Sequence, residues 1–350
     1  MVTMMKKLLF LLLAAGGLVF IVGAIVLGSP LTSQLDLGGS TPSESTYNVK
    51  EFGAAGDGRT DDTPAFEQAI EAAASNGGGE VFVPVGTYVL HPIFLQSHVD
   101  LIGADRDVVT LKLSDDADNQ GLTRLVNIEE AENIQIHNIT FDGNAPAHEG
   151  GTEHMHTLFI WDSKHIVVDN NRMQHAIGDG VSITGSTQAS EDVTISNNIL
   201  LDNHRSNIVV EQVNDIKIFR NQSTSNIGRP TLHFEPFEEM DLYGAEVYEN
   251  TFGSNASDTY TIQIEGTPEP GNYFHDIWFY NNTIKGLSGR FMVKETKDSE
   301  IYNNTFTVKD LYIWFKNDNL HIYKNTIETR NGITVKTSAD GRYAGLPKAG

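Results

Sequence analysis

Residues 191–222 read EDVTISNNILLDNHRSNIVVEQVNDIKIFRNQ, and this stretch contains the pattern that decides the fold. Short segments in which apolar and polar residues alternate, such as VTIS and IKIF, have the period of β-strands. Both segments lead into an asparagine, Asn198 and Asn221. A short strand that returns repeatedly to the same asparagine indicates stacked coils, because one such coil cannot bury its apolar face alone. The stretch therefore predicts a parallel β-helix.

The asparagine recurs along most of the chain. It follows a short strand at Asn138, Asn171, Asn198, Asn221, Asn250, Asn282, Asn304 and Asn325. These spacings are too irregular for an array of helix pairs, and the segments between them (VSIT, LHFE, IQIE and GITV) have the β-branched composition of strands. We interpret the asparagines as structural, because asparagine tolerates the left-handed conformation of a turn and can bond its neighbour's amide along the stack. An all-β, single-stranded solenoid is predicted.

One helix is predicted at the front of the solenoid. Asp61 and Asp62 supply an N-cap candidate before Pro64, which suits the first helical turn. The segment from Pro64 to Ser75 is helical in composition and stops at Gly77-Gly78-Gly79. An open end of a β-helix exposes unpaired backbone, so we expect this helix to be an N-terminal cap.

The N-terminus carries an uncharged apolar run, Leu8–Leu27, behind Lys6 and Lys7. The run is long for a signal peptide and suits a membrane span, so residues 1–28 are predicted to be a cleaved signal peptide or a retained anchor. Residues 29–46 read as a flexible linker, residues 47–340 as the β-helix domain and residues 341–350 as a tail. Either reading predicts a protein that is secreted or anchored at the cell surface, with membrane contact only through the N-terminal segment.

Composition excludes several functions. The chain has 46 acidic residues against 24 Lys and Arg, a formal net charge of -22 and no cysteine. Without cysteine there are no disulfides, no thiolate catalysis and no Cys-ligated metal sites. Nucleic acid is not expected as a partner, because a broad basic surface would be needed to neutralise a phosphate backbone.

Residues 48–90, NVKEFGAAGDGRTDDTPAFEQAIEAAASNGGGEVFVPVGTYVL, closely resemble the opening of the pectate-lyase-like superfamily, in its rhamnogalacturonase- and epimerase-like branch. The segments GDGVSI, DNHRSNIVV and GRPTLHFEP resemble a block found in bacterial and phage β-helix proteins. The resemblance implies a right-handed parallel β-helix and activity on a polysaccharide.

The motifs of well-known relatives are not conserved in this sequence. Asp179 stands alone between Gly178 and Gly180, where polygalacturonase-type relatives carry paired aspartates. Their Gly-His-Gly and Arg-x-Lys motifs, and the Asp-Pro-His-Asp motif of mannuronan epimerases, do not occur. No relative's catalytic residues can therefore be copied onto this chain, because fold does not determine chemistry.

The strands can be aligned by their inward residues, because side chains alternate between the two faces of a strand. We aligned Ile208/Val210 with Leu232/Phe234 and, further on, with Ile313/Phe315. One outward column then reads Trp161, Thr184, Glu211, Glu235, Glu265, Lys294, Lys316 and Lys336. The column beside it includes His233 and Trp314.

Three glutamates in adjacent coils, Glu211, Glu235 and Glu265, are the candidate catalytic residues. Stacked strands lie about 4.8 Å apart, so these carboxylates should repel one another unless they share a proton or a cation. Glycoside hydrolysis needs two carboxyls about 5 Å apart for retention or about 6.5–9.5 Å apart for inversion, and the column offers either spacing. His233, two residues before Glu235, is within reach as an acid, a base or a ligand.

Long coils should surround the column. Their extra residues, Asn144–Met155, Pro236–Gly244 and Gly266–Phe274, are predicted to form loops that wall a groove. The further candidates are residues at the ends or edges of this groove: Trp161 and Trp314 as sugar platforms or outer packing, Lys294 for an anionic sugar, and Asp179, His204 and Arg205 in turns before strands.

A loop rich in histidine and acid has the composition of a metal cluster. It contains His148, Glu149, Glu153, His154 and His156. No strand or helix sets their spacing, so we interpret this segment as a polar loop and predict no protein metal site there.

The leading hypothesis is an exported carbohydrate-active enzyme that hydrolyses a polysaccharide, with Glu235 and either Glu211 or Glu265 as the carboxylate pair. The first alternative is a lyase or C5-epimerase on a uronate polymer. There the glutamates would hold Ca²⁺ against the substrate carboxylate, and Lys294, Arg205 or His233 would take the C5 proton. The second alternative is a non-catalytic glycan-binding surface module. Ca²⁺ is the one cofactor that any of these hypotheses requires.

Overall fold

The computed structural model describes residues 45–237, 240–256, 259–266, 274–336 and 343–344, within one compact unit, Thr41–Gly350. The predicted leader, residues 1–28, and residues 29–44 of the predicted linker lie outside the described residues, as does most of the predicted tail. Over the described part of the chain, no helix has the length and apolar character needed to cross a membrane.

Two sheets run along the solenoid, and each coil adds one strand to the first of them. Within the described residues, the strands of the first sheet are Thr46–Asn48, Gly79–Val83, Val99–Gly103, Glu132–His137, Lys164–Asp169, Ser190–Ser196, Val213–Phe219, Leu242–Tyr248, Phe274–Tyr280, Thr296–Tyr302 and Asp318–Tyr323. Neighbouring strands in this sheet run parallel, so the chain enters the sheet from the same side once per coil.

The second sheet receives the rest of each coil. Its described strands are Asp57–Asp61, Gly86–Leu90, Ile93–Leu95, Val109–Leu113, Val126–Glu129, Thr140–Asp142, Leu158–Trp161, Arg172–Gln174, Val181–Thr184, Ile199–Leu201, Ile208–Val210, Gln222–Ser225, Leu232–Phe234, Thr251–Ser254, Thr259–Glu265, Thr283–Lys294, Thr305–Ile313, Thr326–Lys336 and Tyr343–Ala344. The pairs between coils are parallel, and Tyr343–Ala344 pairs antiparallel with the end of Thr326–Lys336. This is a parallel β-helix, as predicted; its right-handed sense stays a prediction.

An asparagine ladder joins the coils inside one corner of the solenoid. The backbone N–H of Asn198 donates to Asn221 Oδ1 at 2.9 Å, and the N–H of Asn221 donates to Asn250 Oδ1 at 2.9 Å. The pattern continues through Asn282, Asn304 and Asn325, and begins at Asn171. The predicted bond along the stack is therefore present.

The ladder asparagines were also predicted to adopt the left-handed conformation, and that prediction was wrong by one residue. The positive φ belongs to the residue before each ladder asparagine, for example Asn197 at 55° and Arg220 at 56°. Asn138 is itself such a turn residue, with φ 63°, and Ile139 occupies the ladder position of its coil. Doubled asparagines hide this difference, because either residue suits a left-handed turn.

Removing one member of the ladder should be costly. Asn221→Ala would leave the buried N–H of Asn198 and the carbonyl of Ile195 without their partners. Each unsatisfied buried group costs about 1–3 kcal/mol, so we expect a loss of about 2–6 kcal/mol in the urea unfolding free energy. Asn226→Ala, on an exposed asparagine bonded to Asp202, is the matched control and should change little. Equal effects in the two variants would contradict a structural role for the ladder.

The core runs continuously between the sheets and the single described α-helix packs at its beginning. The helix is Thr63–Ser75, close to the predicted bounds, and it buries Phe66, Ala69, Ile70 and Ala73. Asp62 precedes it but does not cap it, because its carboxylate accepts the N–H groups of Ala55 and Gly56. The helix contacts the first two strands of the first sheet. Its function as a cap on the open end stays a prediction.

Candidate functional site

The outward column of the second sheet lies where the sequence predicted it, as far as Lys294. Trp161 pairs with Thr184, and Glu211 follows because its N–H bonds the carbonyl of Ile183 at 2.9 Å. Glu235 comes next in the same way through Val210, and Glu265 pairs with Lys294. Successive members are separated by about 4.8 Å, the spacing of stacked strands.

Beyond Lys294 the predicted column was wrong by two residues. Trp314, not Lys316, follows Lys294, because Ile313 pairs with Val293 and the N–H of Trp314 bonds the Val293 carbonyl. The segment Leu311–Phe315 has three apolar residues of the same alternation, and the alternation alone cannot choose two of them. Lys316 lies in a left-handed turn, 3.3 Å from Glu295 Oε1. Lys336 does belong to the column, with its Nζ 4.3 Å over the Trp314 ring.

Arg205 is the centre of an acidic cluster at the middle of the column. Its Nη1 donates to Asp179 Oδ2 at 2.8 Å and its Nη2 to Glu235 Oε2 at 2.7 Å. Nη2 also lies 3.8 Å from Glu211 Oε1, and Nε lies 3.5 Å from Glu153 Oε2. One guanidinium thus lies between four carboxylates, so the cluster as a whole keeps an excess of negative charge.

Two glycines hold Asp179 in the turn before the strand Val181–Thr184. A Cβ on Gly178 would lie 2.7 Å from His156 Nδ1, and a Cβ on Gly180 would lie 2.6 Å from the Asn207 carbonyl oxygen. The Asp179 side chain is fully buried, and its Oδ1 has no hydrogen-bond partner among the described residues. A buried carboxylate of this kind depends on its cation, here Arg205.

Glu211 is the titratable group of the cluster at neutral pH. Burial raises the pKa of Glu211 to about 7, and the charges of Asp179 and Glu235 act in the same direction. The Thr184 hydroxyl and Arg205 oppose this shift without cancelling it. Burial alone would lower the pKa of Arg205, but Asp179, Glu235 and Glu211 raise it above its usual value. Arg205 is therefore a permanent cation beside a carboxyl that can take or release a proton.

His233 forms a second pair with Glu235 on the same strand. Its Nδ1 lies 3.5 Å from Glu235 Oε2, and its buried Nε2 has no partner within the described part of the chain. Burial lowers the pKa of His233, against the opposing charges of Glu235 and Glu265, so the ring is neutral near pH 7. Glu265 itself is not part of the Arg205 cluster, because its Oε2 contacts Lys294 Nζ at 2.8 Å.

The remaining predicted residues fall into different places. Trp161 is half-buried and stands two coils before Glu211, whereas Trp314 stands two coils after Glu265 with Lys336 over its ring. The His204 side chain is largely exposed, and none of its described contacts is with the Arg205 cluster. Partial removal from water lowers the pKa of His204, and the charges of Arg229 and His175 act in the same direction. Parts of the loops after Glu235 and Glu265 lie outside the described residues.

The loop between Asp142 and Leu158 divides into separate roles. His148 is fully buried and bonds Asn119 and the Ser114 carbonyl, so it is a structural residue. Glu149 and His154 are exposed, and Glu153 contacts Arg205. His156 is buried against the cluster: its Nδ1 accepts the N–H of Asp179 at 2.9 Å, and burial lowers its pKa. The segment is a polar loop in which His148 and His156 are buried, and their burial was not predicted.

Arg124 was not identified from the sequence, and Phe159 was placed in the column of His233 and Trp314 without a role in the site. The Arg124 guanidinium lies 3.5 Å over the Phe159 ring, and the His156 ring stacks with Phe159 at 5.8 Å. Arg124, His156, Asp179 and Arg205 each precede a strand of the second sheet by two or three residues. Aligning the turns before these strands, as well as the strands themselves, would have brought the four residues together.

The cluster does not fit a calcium site. Within the residues that the structure describes, no group of three or more His, Asp or Glu side chains is arranged to hold a metal ion. The Arg205 guanidinium already lies between the carboxylates where a cation would bind. The predicted Ca²⁺ site on these glutamates therefore does not fit the arrangement of their side chains.

Comparison with known proteins confirms the predicted resemblance to pectate-lyase-like proteins. The family model "Rhamnogalacturonase A/epimerase, pectate lyase-like" matches residues 46–134. The matched region ends before the acidic cluster and contains none of its residues.

Relatives of several kinds are similar to parts of this chain. Alginate lyase 7 of Azotobacter vinelandii is 38% identical over 124 residues, 33% of this chain and 14% of that protein. Mannuronan C5-epimerase AlgE4 of the same organism is 38% identical over 108 residues, 28% of this chain and 20% of that protein. Plasmin and fibronectin-binding protein A of Streptococcus pneumoniae is 29% identical over 181 residues, 46% of this chain and 24% of that protein. The chain thus spans a minor part of each of these relatives.

The solved A-module of AlgE4 shows the same fold. It superposes with a TM-score of 0.60 at 20% identity, covering 85% of this chain and 84% of the module. At this identity the similarity establishes the architecture and leaves the chemistry to the side chains.

Proposed function

We propose that the protein removes the C5 proton of a uronate residue in a polysaccharide, as a lyase or a C5-epimerase. The observation that carries this proposal is Glu211, a carboxyl with a pKa of about 7 that faces outward beside the Arg205 cluster. A general base works best when its pKa lies near the working pH, and Glu211 meets that condition. Export of the enzyme is proposed from the apolar run Leu8–Leu27 alone.

The relatives favour this alternative over hydrolysis, which was the leading hypothesis from the sequence. An alginate lyase and mannuronan C5-epimerases are among the similar proteins. The geometry also removes one of the two carboxylate pairs offered for hydrolysis, Glu235 with Glu265, because Glu265 is paired with Lys294. We therefore do not retain hydrolysis as the main hypothesis.

The reaction follows from the positions of these groups. Ionised Glu211 takes the C5 proton, and the electron pair left at C5 is stabilised through the adjacent carboxylate once a cation neutralises that group. In elimination the pair forms a C4–C5 double bond, the C4–O bond breaks, and protonated Glu211 returns its proton to the leaving oxygen. In epimerisation a proton from water is instead added to C5 from the opposite face of the sugar ring.

The test is an assay of the purified chain on polymannuronate, polyguluronate, polygalacturonate and neutral glucans in D₂O. A lyase gives unsaturated product with ultraviolet absorbance, an epimerase incorporates deuterium at C5, and a hydrolase gives new reducing ends with neither signal. We expect one of the first two signals on a uronate polymer. The signal should persist in the presence of chelator, because the Arg205 guanidinium already lies between the protein carboxylates that would otherwise bind a metal ion.

Glu211→Gln should abolish whichever signal appears. Glu132→Gln, the same change on the exposed face of the first sheet, is the matched control and should keep full activity. New reducing ends without unsaturation or exchange would instead return the enzyme to the hydrolases. Full activity in Glu211→Gln would mean that another group is the base.

A glycan- or protein-binding surface module is the second candidate. The match to plasmin and fibronectin-binding protein A covers 46% of this chain, more than either enzyme match. In that case the assay would detect binding to a glycan or matrix protein with no covalent change in the ligand. Turnover of any polymer that Glu211→Gln abolishes would exclude a purely adhesive role.

A further inference from the structure

We propose that Arg124 binds the carboxylate of the substrate, so that the site selects polymers of unesterified hexuronates. This inference rests on the proposed C5 chemistry, because that chemistry needs a cation on the carboxylate next to the reacting carbon. It assigns that task to a residue outside the Arg205 cluster.

Arg205 is poorly placed for the task because its donors are already used. All three of its nitrogens lie within 3.8 Å of protein carboxylates, and two of these contacts are shorter than 3 Å. A substrate carboxylate would have to displace Asp179 or Glu235 to reach it. Displacing Asp179 would leave a buried, unpaired charge, which is strongly unfavourable.

Arg124 is less completely neutralised. Among the described residues it forms one ion pair, from Nη1 to Glu129 Oε1 at 3.4 Å, and its buried Nε has no hydrogen-bond partner. Burial lowers the pKa of Arg124, while Glu129 and Glu211 raise it. A largely buried arginine with one long ion pair is stabilised further when it binds a second anion. Its planar guanidinium can bind a carboxylate through two parallel hydrogen bonds.

The aromatic rings beneath Arg124 hold the guanidinium in place before substrate binds. Its central carbon lies 3.5 Å from the Phe159 ring centroid, and the Phe159 and His156 rings are nearly parallel, at 9°. Phe159 is 6% exposed, so the ring gives the guanidinium a fixed, largely dry support. A fixed cation loses less conformational entropy on binding than a flexible surface lysine would.

The position also agrees with the connectivity of a hexuronate. C5 carries both the proton and the carboxylate group, so the cation that binds the carboxylate must lie beside the base. The Arg124 guanidinium lies over Phe159, and the Thr184 hydroxyl, on the adjacent paired strand, hydrogen-bonds the Glu211 carboxyl. The carboxylate-binding cation and the base therefore reach over neighbouring strands of the second sheet.

The experiment compares Arg124→Gln and Arg124→Lys with wild type, by calorimetric binding to a uronate polymer and to its methyl ester. Losing a charge-assisted hydrogen bond should weaken binding of the free acid by roughly 10- to 100-fold and leave the ester almost unaffected. Arg124→Lys should recover only part of the loss, because it restores a point charge without the fork. Arg172→Gln is the matched control, since Arg172 also has one acidic partner, Asp107 at 2.9 Å, and it should bind as wild type does.

Binding and turnover are read separately, so the two proposals can fail separately. Selective loss of acid binding in Arg124→Gln, with no turnover by wild type, would support Arg124 and refute C5 chemistry. Unchanged acid binding, equal loss for acid and ester, or no uronate binding by wild type would each overturn the assignment of Arg124. If Arg124→Gln does not fold, as judged by its circular dichroism, Arg124→Lys against the same two polymers decides the question.

Discussion

Arg205→Met should strongly destabilise the protein. The substitution removes the cation from Asp179, which is fully buried and has no other ion-pair partner among the described residues except the ring of His156. Breaking a buried ion pair from one side costs about 3–5 kcal/mol, because the remaining charge stays buried without compensation. Urea unfolding followed by circular dichroism would measure the change.

The control for Arg205 is Arg220→Met. Arg220 also bonds a carboxylate, Glu249 at 2.8 Å, but both side chains are exposed, so its unfolding midpoint should hardly move. Adding Asp179→Asn to Arg205→Met should recover part of the stability, because it removes the uncompensated charge. If Arg205→Met and Arg220→Met unfold at the same urea concentration, the buried Arg205–Asp179 ion pair does not stabilise the protein as predicted.

Glu211→Gln should lose activity and gain stability. As the proposed general base, Glu211 should contribute about 10²- to 10⁴-fold to turnover, and the wild-type enzyme should lose kcat/KM as the pH falls through about 7, the pKa of Glu211. The variant should have neither the activity nor this acid limb. An unchanged pH profile in the variant would show that the limb belongs to another group.

The stability gain follows from the same pKa. Folding raises the pKa of Glu211 from 4.5 to about 7, so between these values the folded state holds more protons than the unfolded state. Stability due to this group is therefore full below pH 4.5 and falls as the pH rises through 7. Glutamine removes this dependence, and the gain over wild type should be about 2 kcal/mol larger at pH 8 than at pH 5.5. Glu132→Gln, the same substitution at an exposed position, is the control.

The sequence predicted the parts of the structure that depend on strand alternation. The column from Trp161 to Lys294 was correct because each of its strands has one clear inward pair. The prediction failed at Leu311–Phe315, because three alternating apolar residues, Leu311, Ile313 and Phe315, offer two possible inward pairs. Periodicity could identify a strand there but could not fix its register.

The site could be predicted only in part, because several of its residues lie in turns, where strand alternation does not apply. The long side chains of Arg124 and His156 also reach residues on other coils, such as Phe159 and Asp179. The electrostatic outcome also needed coordinates. Whether Glu211 shares a proton or pairs with a cation depends on the burial of its carboxyl and on the reach of Arg205, and neither can be read from spacing.

The asparagine ladder also bears on how such a protein evolves. Its hydrogen bonds fix each coil on the next through buried backbone and amide groups, whereas the outward column that contains Glu211 and Glu235 belongs to another part of the same coils. Mutations in the outward columns can therefore accumulate without altering how the coils stack. A lineage can in this way exchange one catalytic motif for another on an unchanged scaffold, and related solenoids need not share any active-site signature.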